Sequence, residues 1–243
     1  MKTKYYTALF IILLSITGCH KPKTKEVKFT STTYQTLGTF NTEGKPDYLL
    51  PRDQISSSML SFIDSTLPNG KDLRVSHPEL FTSTAIADIK VTQSSDIFIT
   101  FVSEVGDLSN SFAFYTYPTN QPPTSPKDIK LITYIFPNTG VNTPLQAGDK
   151  VKIGRFDPGT SVGFVLLKGA WNTTTHTLSD DVVHFCTNDA LNPEVDPSLK
   201  KHAVLINYTP ENKVLIGFED LDRTNSSCDN DFNDVVLYCT VTP

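Results

Sequence analysis

The sequence predicts an all-β fold, an antiparallel β-sandwich or jelly-roll-like arrangement with a short helix in its N-terminal part. From about residue 86 onward the chain consists of short runs that are rich in β-branched and aromatic residues. Turn-forming prolines, glycines and asparagines separate these runs, and helical periodicity is scarce among them. Several short strands with such punctuation are typical of antiparallel sandwiches.

Eight runs have the length and residue types of strands that pack on a core. They are Ile97–Val102, Phe112–Tyr117, Leu131–Phe136, Val162–Leu167, Val182–Phe185, Ala203–Ile206, Val214–Phe218 and Val235–Val241. The sequence Asp157-Pro158-Gly159 suits a type II turn, because proline fixes φ and glycine accepts a positive φ. Residues 159–163 also match the G-x-S-x-G pattern of hydrolases, but a strand-like run follows where that mechanism needs a helix. We therefore interpret these glycines as turn residues.

The N-terminal segment, residues 34–85, is less regular and is expected to pack on the sandwich formed by residues 86–243. Asp53 is a candidate helix cap, and Leu67-Pro68-Asn69-Gly70 is expected to end the helix. One apolar stripe supports this short helix: Ile55, Met59, Leu60 and Ile63.

The first 18 residues have the layout of a signal peptide. Met1–Lys4 carries two lysines, Tyr5–Ile16 is mostly apolar, and small residues lead to Cys19. The apolar stretch is too short for a membrane-spanning helix, which needs about 20 residues. The site resembles the lipobox of bacterial lipoproteins, in which Cys19 becomes the acylated first residue; an ordinary signal peptide is the alternative. Several acyl chains, such as palmitate, would anchor the protein stably.

Residues 19–33 are polar and basic and are expected to form a lipidated tether near anionic headgroups. The whole chain has a formal net charge of −5, and loss of Lys2 and Lys4 with the signal peptide makes it more negative. An acidic protein has no electrostatic reason to bind nucleic acid.

Three cysteines remain besides Cys19. In Val235–Val241 the alternation of side chains places Cys239 on the apolar face, which indicates a buried thiol. By elimination, Cys186 and Cys228 are predicted to form a disulfide, as an oxidising compartment would favour.

The stretch between Phe218 and Val235 is the feature that carries chemistry. It joins two predicted strands and contains one arginine and six carboxylates: Glu219, Asp220, Asp222, Asp229, Asp231 and Asp234. Like charges at about 4 Å repel by roughly 1 kcal/mol in water and about 4 kcal/mol near a protein surface. Such a loop either stays splayed in solvent or closes around a cation. Calcium fits best, because it takes six to eight hard oxygen ligands.

An EF-hand is rejected for this loop. Asp229, Asp231 and Asn233 match the first three ligand positions, but Asp234 stands where glycine is needed and Thr240 where a bidentate glutamate is needed. The flanking runs are also strand-like. A solvated acidic loop, in which Asn233 and Asp234 only fix a turn, is the alternative to metal binding.

The motifs Ile216-Gly217-Phe218-Glu219-Asp220-Leu221 and residues 229–236, DNDFNDVV, resemble the signature of the LruC-domain family of bacterial outer-membrane or surface lipoproteins and exported proteins. Weaker similarity extends over roughly residues 37–241. The resemblance implies a β-sandwich, functionally important acidic residues and an outer-membrane address, but no established activity. It assigns candidate metal-ligand roles to Glu219, Asp220, Asp229, Asp231, Asn233, Asp234, Glu104 and Asn110. The sequence Glu104-Val105-Gly106-Asp107 departs from the family pattern, in which a glycine and a small residue follow the glutamate.

Three functions are compatible with the sequence, and one of them, a purely structural envelope protein, differs from the first below mainly in lacking a ligand. The first is a calcium-stabilised, non-enzymatic module of the cell envelope that is tethered to the membrane and binds an envelope or host protein or a glycan. The alternative is a carboxylate-dependent enzyme such as a glycoside hydrolase, in which two of the acids flank a sugar-sized cleft.

Overall fold

A computed structural model describes residues 28–243. The predicted signal peptide, the lipidation site Cys19 and most of the predicted tether lie outside the described residues. Within them the chain forms two main β-sheets that pack face to face, and the predicted all-β sandwich is confirmed. No helix among the described residues is long and apolar enough to cross a membrane.

The first sheet has six strands, and apart from the parallel pair β1–β5 they pair antiparallel. Its strands are β1 (Thr33–Thr36), β2 (Ile89–Lys90), β4 (Ser111–Pro118), β5 (Leu131–Phe136), β7 (Thr160–Leu167) and β10 (His184–Cys186). The order is β1-β5-β4-β7-β10, and the short β2 also pairs with β7.

The second sheet has five strands in the order β11-β12-β13-β3-β6, all antiparallel. Its strands are β3 (Ser95–Glu104), β6 (Lys150–Phe156), β11 (Ala203–Tyr208), β12 (Lys213–Phe218) and β13 (Val235–Thr242). A separate two-stranded ladder joins β8 (Trp171–Asn172) and β9 (Thr177–Leu178). Short 3-10 turns cover Pro78–Phe81, Pro126–Asp128, Asp189–Leu191, Pro197–Leu199 and Thr209–Glu211.

The main hydrophobic core lies between the two sheets and follows from the alternation of side chains along each strand. Phe112 of β4 packs edge-to-face against Phe218 of β12, with ring centroids 5.9 Å apart. Leu237 and Cys239 of β13 point into the same core, so the predicted buried thiol at Cys239 is confirmed. The end of β12, where the acidic loop begins, is therefore held rigidly by the core.

The outer face of the second sheet is covered by α1 (Ser57–Thr66) and α2 (Leu73–Ser76). The predicted helix is present, and Leu67 ends it by donating its backbone N–H to the carbonyl of Ile63. Met59 and Ile63 are buried in this second cluster, whereas Leu60 faces away from it.

Asp53 does not cap the helix, because the helix begins three residues later than predicted. The side chain of Ser56 accepts a hydrogen bond from the backbone N–H of Met59 and is the actual cap. Asp53 instead pairs with Lys150 and accepts hydrogen bonds from Thr100 and Tyr238.

Five strands were not predicted: β1, β2, β6, β8 and β9. The strand β6, with sequence KVKIGRF, occupies the edge of the second sheet, where its basic side chains remain partly exposed and mask the apolar alternation. The others have at most four residues, too few for a periodic signal.

A pair of neighbouring substitutions tests the orientation of α1. Met59→Ala removes a fully buried side chain and is expected to lower the free energy of unfolding by about 2–5 kcal/mol. The matched control Leu60→Ala changes a side chain that is 43% exposed and should stay within about 0.5 kcal/mol of the parent. Urea denaturation measures both, and equal losses would contradict the packing of this helix.

Candidate metal centre

The acidic loop, residues 219–234, connects the neighbouring inner strands β12 and β13 at one end of the second sheet's strands. Phe218 pairs with Val235, and Val235 pairs on its other side with Glu104 at the end of β3. This register brings the first residue of the loop, its last residue and Glu104 to the same end of three adjacent strands.

Two groups of carboxylates converge in this loop. The loop triad consists of Glu219, Asp229 and Asp231, and the strand-end triad consists of Glu219, Asp220 and Asp234. In each triad, one oxygen from each residue lies within 4.8 Å of the others. Oxygens that bind one calcium ion at 2.3–2.6 Å are separated by up to about 5 Å. The acidic clusters can therefore hold a metal ion.

Most of these carboxylates are buried. Glu219, Asp220 and Asp231 are only 1–2% exposed, Asp234 is half-buried, and Asp229 is exposed. None of the five forms an ion pair within 4.0 Å with a basic residue of the chain from 28 to 243. Burying an unpaired charge is costly, so the cluster needs either protons or a cation.

Backbone N–H groups fix the orientation of several carboxylates. The N–H of Asp220 donates to Oδ2 of Asp234 at 2.7 Å. Oδ2 of Asp231 accepts from the N–H of Gly70 at 2.7 Å, and its Oδ1 accepts from the N–H of Asn233 at 3.1 Å. These bonds preorganise the acids, and the Gly70 contact ties the loop to the segment that follows α1.

Burial and mutual repulsion raise the pKa values of the cluster. Burial, together with the charges of the neighbouring Asp220 and Glu219, raises the pKa of Asp234 to about 9. Burial likewise raises the pKa values of Glu219, Asp220 and Asp231. A bound cation would act in the opposite direction, since it favours the ionised carboxylates.

In the part of the chain that the structure describes, three oxygens around the cluster are buried without a hydrogen-bond partner: Glu219 Oε2, Asn233 Oδ1 and Glu104 Oε2. Glu219 and Asn233 are only 1% and 7% exposed. Buried polar atoms are nearly always paired in folded proteins, so orphaned oxygens at the edge of an acidic cluster indicate available ligand positions.

Glu104 lies close to Asp220, and burial and the charges of Asp220 and Asp107 raise its pKa. Gly106 is needed between them, because a Cβ at this position would lie 2.6 Å from Oδ2 of Asp220. In the LruC-family pattern a glycine follows the glutamate directly. This chain has its glycine one position later, at Gly106.

Asn110 belongs to neither triad. Its Nδ2 donates to Oδ2 of Asp220 at 2.7 Å, and its Oδ1 accepts from the N–H of Gly169 at 3.0 Å. Asn110 is fully buried and positions Asp220. The predicted ligand role of Asn110 is therefore better described as support of a carboxylate.

Arg223 and Phe232 hold the loop in shape, a role that no local sequence pattern indicates. Arg223 is buried and donates to Oδ1 of Asn230 at 2.8 Å and to the carbonyl of Lys201 at 2.9 Å. Its guanidinium also lies 5.6 Å from the ring centroid of Phe232, which is fully buried against the second sheet. The one arginine in the loop therefore pairs with neutral oxygens and leaves the triads without a salt bridge.

Asn230 and Phe232 adopt left-handed backbone conformations, with φ values of 60° and 57°. Such values are uncommon for non-glycine residues and particularly for a bulky one. With these two residues in the left-handed region, Asp229 and Asp231 lie beside Glu219. Phe232, between Asp231 and Asn233, is buried with the helices on the outer face of the second sheet. The acids of the loop triad therefore occur at alternate positions.

His202 supports the start of the loop through its backbone and its ring. Its backbone carbonyl accepts from the N–H of Glu219 at 3.0 Å, and its Nδ1 lies 3.2 Å from the carbonyl oxygen of Glu219. Its Nε2 lies 2.6 Å from Oε1 of Glu194, and both side chains are fully buried. Glu194 was not singled out as a partner because it lies eight residues away in an irregular segment.

The predicted Cys186–Cys228 disulfide is wrong, since all three described cysteines are free. Cys186 of β10 is fully buried on the outer face of the first sheet, beside Tyr115 and Val165. Cys228 lies in the acidic loop next to Glu219, and burial raises the pKa of its thiol to about 12. The cysteine count predicts a disulfide, but Cys186 and Cys228 lie in different parts of the fold and both are free thiols.

Thiol mapping checks this arrangement. When the protein is denatured without reductant and alkylated, the peptides that contain Cys186, Cys228 and Cys239 should all carry the label. In the native state Cys228 should react first, because Cys186 and Cys239 are fully buried. A cross-linked Cys186–Cys228 peptide in the mass spectrum would contradict the structure.

Comparison with known proteins finds one match, to a family model. A family model described as "Domain of unknown function (DUF4114)" matches residues 156–242, which include the whole acidic loop. No curated protein and no solved structure matches the chain. The matched span is about a third of the chain, and the resemblance to the LruC-domain family stays a prediction.

Proposed function

We propose that the acidic loop binds calcium and that the protein is a calcium-stabilised, non-enzymatic module of the cell envelope. The observation that carries this proposal is the burial of Glu219, Asp220 and Asp231 together, without a basic partner among residues 28–243. Calcium supplies the missing positive charge and accepts carboxylate, amide and carbonyl oxygens. No histidine or cysteine belongs to either triad, so the donor set suits a hard cation rather than zinc.

A cation in this loop would stabilise more than the loop itself. The loop touches the turn after α1 through Gly70 and Asp231, and it touches the end of β3 through the N–H of Val105 and the carbonyl of Asp234. Relief of the repulsion among the acids would therefore hold the covering helices and the sheet together.

The second part of the proposal is attachment to the outer membrane through lipid on Cys19, with the sandwich facing the periplasm or the exterior. The basic, apolar and small-residue zones of the first 19 residues support it. A tethered sandwich with rigid loops suits the binding of an envelope or host protein or a glycan, as in other sandwiches whose loops carry function.

The geometry disfavours the glycoside-hydrolase alternative. Catalytic carboxyl pairs are separated by roughly 5–9.5 Å with a sugar between them. Glu219 and Asp231 instead offer oxygens within 4.8 Å of each other, and each side chain is only 1% exposed. This pair is closed to a sugar ring but has the right size for an ion.

Thermal unfolding tests calcium binding. Calcium at a hundred times its dissociation constant should stabilise the protein by about 2.7 kcal/mol, which corresponds to a rise in Tm of roughly 5–10 °C. A chelator should reverse the shift, and an unchanged melting curve would refute the proposal.

Asp231→Asn should reduce this calcium-induced shift strongly, because it removes one carboxylate charge from the loop triad while an acceptor oxygen remains. Asp64→Asn, on the exposed face of α1, is the matched control and should retain the full shift. Equal shifts in the two variants would place the ion elsewhere.

Membrane attachment has its own test. The full-length protein expressed in a two-membrane bacterium should partition into the detergent phase of Triton X-114 and incorporate labelled palmitate. Cys19→Ser should abolish both. Palmitate labelling that persists in this variant would contradict lipidation at Cys19.

A further inference from the structure

We infer that the acidic cluster holds two cations rather than one, with the carboxylate of Glu219 shared between them. One ion lies in the loop triad and the other in the strand-end triad. This inference rests on the proposed calcium binding and adds the number of ions and the residue that couples them.

The first step is the spacing of the oxygens. In each triad one oxygen per residue lies within 4.8 Å of the others, and among the described residues no such group contains all five acids. The ligands of a single calcium ion lie within about 5 Å of one another, because each is 2.3–2.6 Å from the metal. The spacing therefore favours one ion in each triad over a single ion that binds all five acids.

The second step is the state of Glu219, the residue that the triads have in common. A carboxylate offers two oxygens and about four lone-pair sites, so it can bridge two ions. Among the described residues Oε2 of Glu219 has no hydrogen-bond partner, whereas its Oε1 lies 3.4 Å from the N–H of Leu221. Asp234 and Cys228 also approach this carboxyl group. A residue that is only 1% exposed thus keeps one oxygen unpaired beside the oxygen that it offers to its neighbours.

The third step is charge. The two triads together contain five carboxylates. One divalent cation would leave a net charge of about −3 in a mostly buried site, whereas two would leave about −1. The arginine in the loop does not correct the excess, since its hydrogen bonds go to Asn230 and to backbone carbonyls.

The fourth step is the supply of further ligands. Glu104, with its unpartnered Oε2, lies near Asp220 of the strand-end triad. Asn233, with its unpartnered Oδ1, donates its N–H to Asp231 of the loop triad. Each triad therefore has one additional buried oxygen in its neighbourhood, which suits the six to eight ligands of calcium.

Counting the bound ions tests this inference. The full-length protein is dialysed to equilibrium against calcium, and the calcium bound per chain is measured by elemental mass spectrometry. Two ions per chain are expected. A value of one overturns the shared site but leaves the proposed calcium binding intact, whereas a value of zero refutes both.

Variants assign the two ions to the triads. Asp229→Asn should remove only the loop ion and Asp220→Asn only the strand-end ion, so each should bind one calcium at the parental affinity of the remaining site or weaker. Glu219→Gln should weaken both sites by at least tenfold, and Asp64→Asn should still bind two ions. A Glu219→Gln variant that loses one ion and keeps the other at full affinity would overturn the sharing.

Luminescent lanthanides give a second readout that does not depend on variants. Protein loaded with a mixture of terbium and neodymium should show a shortened terbium lifetime, because energy transfer requires two ions in close proximity. An unchanged lifetime at full loading would place the ions far apart and overturn the bridge.

Discussion

The accumulation of carboxylates between β12 and β13 is the constraint on which this structure depends. Glu219 and Asp234 are the residues next to two paired strands, so the sheet cannot form without bringing them together. Core packing of Phe218 and Val235 fixes the strand ends, and the acids cannot relax outward without breaking that packing. The favourable burial of the core and the unfavourable proximity of the charges are thus two results of the same strand register.

The remaining contacts of the loop hold this arrangement in place. Phe232 is buried against the outer face of the second sheet, Arg223 satisfies neutral oxygens, and His202 holds the first peptide of the loop. None of these contacts neutralises a carboxylate of the triads. The loop is therefore fixed in shape by apolar and neutral polar contacts and is left negative, which is the arrangement expected of a preorganised cation site.

Much of the fold could be predicted from the sequence because strands such as β4, β7 and β13 are short runs rich in branched and aromatic residues. The edge strand β6 escaped because lysines and an arginine interrupt its pattern. The helix start was displaced because Asp53 and Ser56 are both good caps, and only the contacts of Asp53 with Lys150 and Tyr238 decide between them. The acidic residues were visible in the sequence, but their division into two triads depends on the left-handed residues Asn230 and Phe232, which no local pattern reveals.

The position of β13 has a consequence for how the protein folds. It is the most C-terminal of the described strands, yet it lies in the middle of the second sheet, between β12 and β3. Its partner β3 comes from far earlier in the chain, so the sheet closes through a contact of high sequence separation, which is slow to form. Within the second sheet only β13 joins β3 and β6 to the β11–β12 hairpin, as far as the described residues show. The pairing that completes this sheet is therefore also the one that brings Glu104 to the acidic loop.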